Sequence, residues 1–236
     1  MNRGKVRTIL STFVLVAGLG SACQGQAQNP KEPYPSMAPL DQYLMDRTAE
    51  IALARTAAPP AISGDAEVLV MGPHGYETAV KGKNGFVCVV QRSWTAEIDN
   101  PNFWNPKLRA PICFNPPAAR SYLPFTIKKT EWILGGQSKA QMFESIKTAL
   151  DKKELPMPEP GAMCYMLSKQ GYLGDPYGHW HPHVMFFVPP TDAAAWGADL
   201  PGSPVLSDDD PQDRLTIFMV PVAKWSDGTA DATDAH

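Results

Sequence analysis

The chain has 236 residues, with 21 Lys and Arg against 24 Asp and Glu, a formal net charge of −3 and 44% hydrophobic residues. That length is ample for one domain with a sizeable core. The slightly acidic balance, without a Lys/Arg cluster, excludes the basic footprint that nucleic-acid phosphates require.

Arg3, Lys5 and Arg7 precede an apolar run from Ile9 to Gly20 and then small residues, the order of a secretory signal. The run is shorter than the ~20 residues needed to span a bilayer, and no later run approaches that length. Cleavage after Ala27 assigns 1–27 to a signal peptide and the mature chain to the periplasm or the exterior. Cleavage before Cys23 in "LGSAC" is the alternative, giving a lipoprotein anchored at that cysteine; Gly20 stands where a lipobox usually carries a branched apolar residue.

Residues 28–39 ("QNPKEPYPSMAP") are rich in proline and lack periodicity, and read as a linker. A single globular domain is expected over 40–225, followed by a small, acidic and disordered tail over 226–236. Asp41 is placed to cap a helix running to Ala57, with Leu44, Met45, Thr48, Ile51 and Ala52 on one face and Pro59-Pro60 as its stop.

Strands are expected at Glu67–Met71, Phe86–Gln91, Met163–Leu167, His183–Val188 and Leu215–Val220, with a shorter one at Ile112–Phe114. Most are apolar at successive positions, the mark of strands covered on both faces. Asn84-Gly85 accepts the positive φ angles of a tight hairpin turn. Ser138 and Gln141 form a capping box for a second helix reaching Lys152, with Met142, Phe143, Ile146, Ala149 and Leu150 as its buried stripe. Runs of strands with two helices predict an α+β fold: a mainly antiparallel sheet of about five to seven strands packed with two helices.

Two long stretches lack periodicity. Ser93–Pro117 holds three Asn-Pro steps and the aromatics Trp94, Phe103 and Trp104; such rings either close over a core or bind a ligand. Pro189–Gln212 ends in Asp208-Asp209-Asp210, read as a solvated turn, since the Gly and distal Glu of a calcium loop are missing.

Four cysteines are present. Cys88 and Cys113 lie in neighbouring strand-like segments and are the candidate disulfide of an oxidising compartment, with three free thiols in the body as the alternative. No C-x-x-C occurs, and the G-x-S-x-G, H-E-x-x-H, P-loop and G-x-G-x-x-G signatures are absent. A Cys164 nucleophile with a histidine base is chemically feasible, but cysteine in an apolar strand is usually inert core.

Chemistry concentrates in "DPYGHWHPHVMFFVPP", Asp175 to Pro190, which carries three of the five histidines. On an extended chain, residues two apart share a face and lie ~6.6 Å apart. Neighbouring pairs among His179, His181 and His183 can therefore converge on one ion at about 2.0–2.1 Å, whereas the outer pair, ~13 Å apart, cannot. His74 is a further candidate ligand; Cys164 and Asp175 are weaker ones. Pro182 cannot donate to a ladder, so the strand is expected to begin at His183, with His179 and His181 in the preceding loop. H-x-H resembles the opening of cupin metal sites, but no Glu follows in Val184–Pro190.

Together, "GYETAVKGKNGFVCVV" (Gly75–Val90), "MCYMLS" (Met163–Ser168) and "HWHPHVMFFVP" (His179–Pro189) resemble a group of exported bacterial proteins. The resemblance implies export and a single domain, and brings no activity with it. Two functions follow from the residues. One is a non-catalytic exported domain binding a small ligand, a partner or a metal such as zinc or copper. The other is a metal-dependent enzyme built on His179, His181 and His183.

Overall fold

The computed structural model describes residues 33–174 and 180–232. One eight-stranded sheet organises them, in the order β2-β1-β3-β4-β5-β6-β8-β7. The strands are β1 (Glu67–Gly72), β2 (Gly75–Val80), β3 (Val87–Gln91), β4 (Ala110–Phe114), β5 (Met163–Met166), β6 (His183–Val188), β7 (Leu206–Asp210) and β8 (Leu215–Pro221). The α+β class holds. The sheet is mixed, because β1 and β3 run parallel while the other neighbours are antiparallel.

Eight strands exceed the expected five to seven because both edges were hidden. β2 (GYETAV) and β7 (LSDDD) are polar and mostly exposed or half-buried, so neither shows an apolar run; charge on an edge also discourages pairing with another chain. Asp208–Asp210 accordingly belong to a strand and not to a solvated turn. Asn84-Gly85 does not close a hairpin either. Gly85 has φ +79°, but the turn feeds β3 into parallel register with β1, Glu67 opposite Val87. Asn84 holds it by donating Nδ2–H to the Ile62 carbonyl at 2.8 Å and accepting the Phe86 N–H at 3.0 Å.

The first helix, α1, spans Arg47–Arg55, shorter than expected, because Asp46 and not Asp41 caps it by accepting the Ala49 N–H at 2.9 Å. Leu40–Gln42 form a separate 3₁₀ turn, after which Tyr43 turns inward and donates its hydroxyl to the Trp104 carbonyl. A single turn, α2 (Pro60–Ser63), follows the Pro59-Pro60 step. Beside α2, two longer helices were not anticipated, α3 (Pro116–Ser121) and α4 (Leu123–Leu134). Asn115 caps α3, and prolines sit in the first turn of each, where a missing N–H costs nothing. The capping box at Ser138 and Gln141 opens α5 (Lys139–Asp151).

α1 lies on one face of the sheet over Val68, Cys88, Val90 and Cys113. On the other face Tyr122 stacks on Phe187 at 3.8 Å between ring centres, amid a core that includes Phe114 and Cys164. Trp94, Phe103 and Trp104 are buried against α4 and α5, so the Asn-Pro-rich stretch closes over a core; Trp94 donates its indole N–H to Thr130. Tyr34, Met37 and Ala38 pack on the same cluster, so the expected linker contributes to the domain. Residues 226–232, expected as tail, fold back through Trp225 N–H to Thr229 and Asp231 N–H to Ala223.

Candidate functional site

The histidine segment enters the sheet at one end of β6, beside the close of β8. β6 begins at His183, preceded by Pro182, whose carbonyl accepts the Val222 N–H at 2.8 Å. Trp180 anchors the segment by donating its indole N–H to the Ser168 carbonyl at 2.8 Å. Gly171 lies directly beneath that ring: a Cβ there would come within 2.3 Å of it.

His181 is half-exposed, and its Nδ1 meets Asp231 Oδ2 at 2.7 Å. Asp231 is buried, with its own N–H donated to Ala223. The His183 Nδ1 lies 2.7 Å from the His181 carbonyl oxygen, and the Trp180 ring stands edge-on to His183 at 5.5 Å. A carbonyl only accepts, so the His183 Nδ1 carries the proton and the ring lone pair sits on Nε2. The Asp231 carboxylate imposes the same tautomer on a neutral His181. Burial pushes the His183 imidazole below its ordinary value, which keeps it neutral at pH 7.

The remaining candidates are elsewhere. His179 and Asp175 lie outside the described residues. His74 is exposed at the tip of the β1–β2 hairpin, and β3, β4 and β5 separate β1 from β6. Four strand spacings of ~4.8 Å put it roughly 19 Å from His183, too far to share an ion. Cys164 is fully buried on β5, and burial raises its thiol well above the ordinary range, so it is neither a thiolate ligand nor a nucleophile at neutral pH. Among the described residues, no group of three or more His, Cys, Asp or Glu is arranged to hold a metal ion.

Cys88 and Cys113 face each other across β3 and β4 and are joined by a disulfide, S–S 2.05 Å. Asp231 is the site residue that sequence reasoning missed. Its signal was the Ser-Asp-Gly-Thr turn at 226–229, with Gly228 at φ +82° and Asp227 accepting the Thr229 N–H, which returns the chain toward Pro182.

A second polar region lines a cavity of about 460 Å³ with Glu97, Asp99, Asp209 and Asp210. Burial, followed by the charges of Asp208, Asp210 and Asp99, raises Glu97. Burial and then Asp213 raise Asp210 to about 6, against the pull of Lys129. The folded chain thus holds the Asp210 proton more tightly than the unfolded chain, whose value is about 3.9, and this group's contribution to stability falls as pH rises between the two. Asp210→Asn is expected to stabilise the fold by about 2 kcal/mol more near pH 7.5 than near pH 4. Urea unfolding at both pH values checks this, and an equal effect at both would refute it.

No protein family, curated protein or solved structure matches the chain.

Proposed function

We propose that this chain is an exported, non-catalytic binding domain whose His181 and His183 take a divalent metal ion, zinc or copper. The observation that carries the reading is the engagement of both Nδ1 atoms by oxygen, a carboxylate for His181 and a carbonyl for His183. Metal-ligating histidines are oriented this way, the second nitrogen bonded to an acceptor that fixes the tautomer and raises the basicity of the ligating one. Residues two apart on an extended chain share a face, the spacing that lets both nitrogens reach one ion. Imidazole suits zinc and copper.

Export is proposed on the N-terminal order of basic, apolar and small residues, and a disulfide is at home in an oxidising compartment. Periplasmic or secreted protein is the preferred form, and a lipoprotein anchored at Cys23 the other.

Titration of untagged protein with Zn(II) and Cu(II) by calorimetry tests the metal reading. One ion per chain is expected, with affinity at least tenfold weaker in His181→Ala and in His183→Ala. Asp231→Asn is expected to weaken it by about 10–100-fold, the usual cost of losing an outer-shell partner. Affinity unchanged in all three variants would refute the reading. The alternative, a metal-dependent enzyme, has in its favour that two protein ligands leave coordination positions for water and substrate; metal-dependent turnover abolished by His181→Ala would establish it.

A further inference from the structure

α1 covers the β1, β3 and β4 part of its face, and beyond it β5 and β6 are only partly buried. Tyr165 and Val184 continue the row that begins with Cys88 and Cys113, and both are only partly buried. With Leu167, Val222, Trp225 and Pro59 they line a cavity of about 510 Å³, predominantly apolar. That size lies within the range of small-molecule sites, roughly 300–1,000 Å³.

Beside it is a second cavity of about 340 Å³, lined by Arg55, Thr56, Ser63 and Ser226 among others. Ser226 lines both, and the Ala58–Pro60 turn runs between them. Arg55 is the last residue of α1. Its Nε is fully buried and has no hydrogen-bond partner, and no carboxylate of the described residues forms an ion pair with its guanidinium. Asp227, on the same wall, is committed elsewhere, to Lys169 at 3.0 Å and to Thr229. A buried polar nitrogen without an acceptor is costly, and a guanidinium matches the two oxygens of a carboxylate. Lys224, on the wall of the apolar cavity, adds a further positive charge.

We infer that the chain carries a second binding site, for an amphiphile with a carboxylate head at Arg55 and an apolar tail between Tyr165, Val184 and Trp225. This site adjoins the metal pair, since Val222 donates its N–H to the Pro182 carbonyl and Ala223 accepts the Asp231 N–H, but it needs no metal.

Calorimetric titration of the chelator-treated full chain with octanoate and with 1-octanol tests it. Octanoate is expected to bind at one per chain and at least tenfold more tightly than 1-octanol. Arg55→Gln is expected to abolish that preference, Arg55→Lys to retain part of it, and Val222→Glu to remove binding of both compounds while thermal unfolding stays unchanged. Equal affinity of the two compounds for the wild type, or a preference that survives Arg55→Gln in a variant that unfolds like the wild type, would overturn the role of Arg55. Absence of saturable binding of either compound would overturn the site itself, and neither result bears on metal binding at His181 and His183.

Discussion

Glu50→Gln is expected to destabilise the fold by about 3–5 kcal/mol, the usual cost of removing one partner from a buried ion pair. Arg92 and Glu50 are both fully buried, with Arg92 Nη2 donating to Glu50 Oε1 at 2.9 Å. Arg92 also donates Nε–H to the Tyr43 carbonyl at 2.7 Å and Nη1–H to the Val90 carbonyl, while Glu50 Oε1 accepts the Met71 N–H at 3.1 Å. The pair thus ties α1 to β1, to β3 and to the segment that precedes α1. Glutamine keeps the shape and an acceptor for Met71 but leaves the guanidinium charge uncompensated where water cannot reach it. The double variant Glu50→Gln/Arg92→Met is expected to recover part of the loss. Urea unfolding with an unchanged slope measures both; a loss under about 1 kcal/mol for Glu50→Gln would show that the pair is not buried as described.

Loss of the Cys88–Cys113 disulfide is the second large effect. The bond closes a loop between residues 25 apart in sequence, for which the chain-entropy relation gives about 3–4 kcal/mol. Both cysteines lie fully buried beneath α1, so Cys88→Ala/Cys113→Ala also removes sulfur contacts from that core. A fall of at least about 3 kcal/mol is expected in urea unfolding, and a double variant as stable as the oxidised protein would contradict it. Cys164 sits on the opposite face, beside Met185, so its replacement is not expected to mimic this loss.

Much of the sheet was legible in the sequence because its inner strands are apolar at successive positions, although only β1, β3 and β4 are buried on both faces while β5 and β6 are partly buried. "FVCVVQ", "LTIFMV" and "HVMFFV" stand out as apolar runs bounded by turn residues, and the capping box at Ser138 and Gln141 marks the start of α5 by local chemistry alone. The edges were silent for the opposite reason: β2 and β7 bury little, so charge and threonine occupy positions where alternation would otherwise show. α3 and α4 escaped because "PPAARSYLPFTIKKTEWIL" mixes β-branched, aromatic and proline residues, and its helical form is set by packing of Tyr122 and Phe125 on the sheet and α5 rather than by propensity. Strand order was invisible, since the β1–β3 parallel pairing depends on a crossover that no short pattern encodes.

The site was half legible. Pro182 marked the start of β6 at His183, with His181 in the preceding loop. Asp231 could not be paired with His181 from spacing, because the contact spans 50 residues and depends on the turn at 226–229 bringing the chain back. His74 illustrates the converse: its residue type suited the site, but the sheet order placed it across four strand spacings.

Nitrogen-15 imidazole spectra recorded during Zn(II) addition report whether His181 and His183 bind one ion through their Nε2 atoms. At one equivalent the Nε2 resonances of His181 and His183 are expected to shift together while each Nδ1 keeps the signature of a protonated nitrogen. Unchanged resonances for both rings, or zinc taken by Nδ1 with loss of the Asp231 contact, would contradict it.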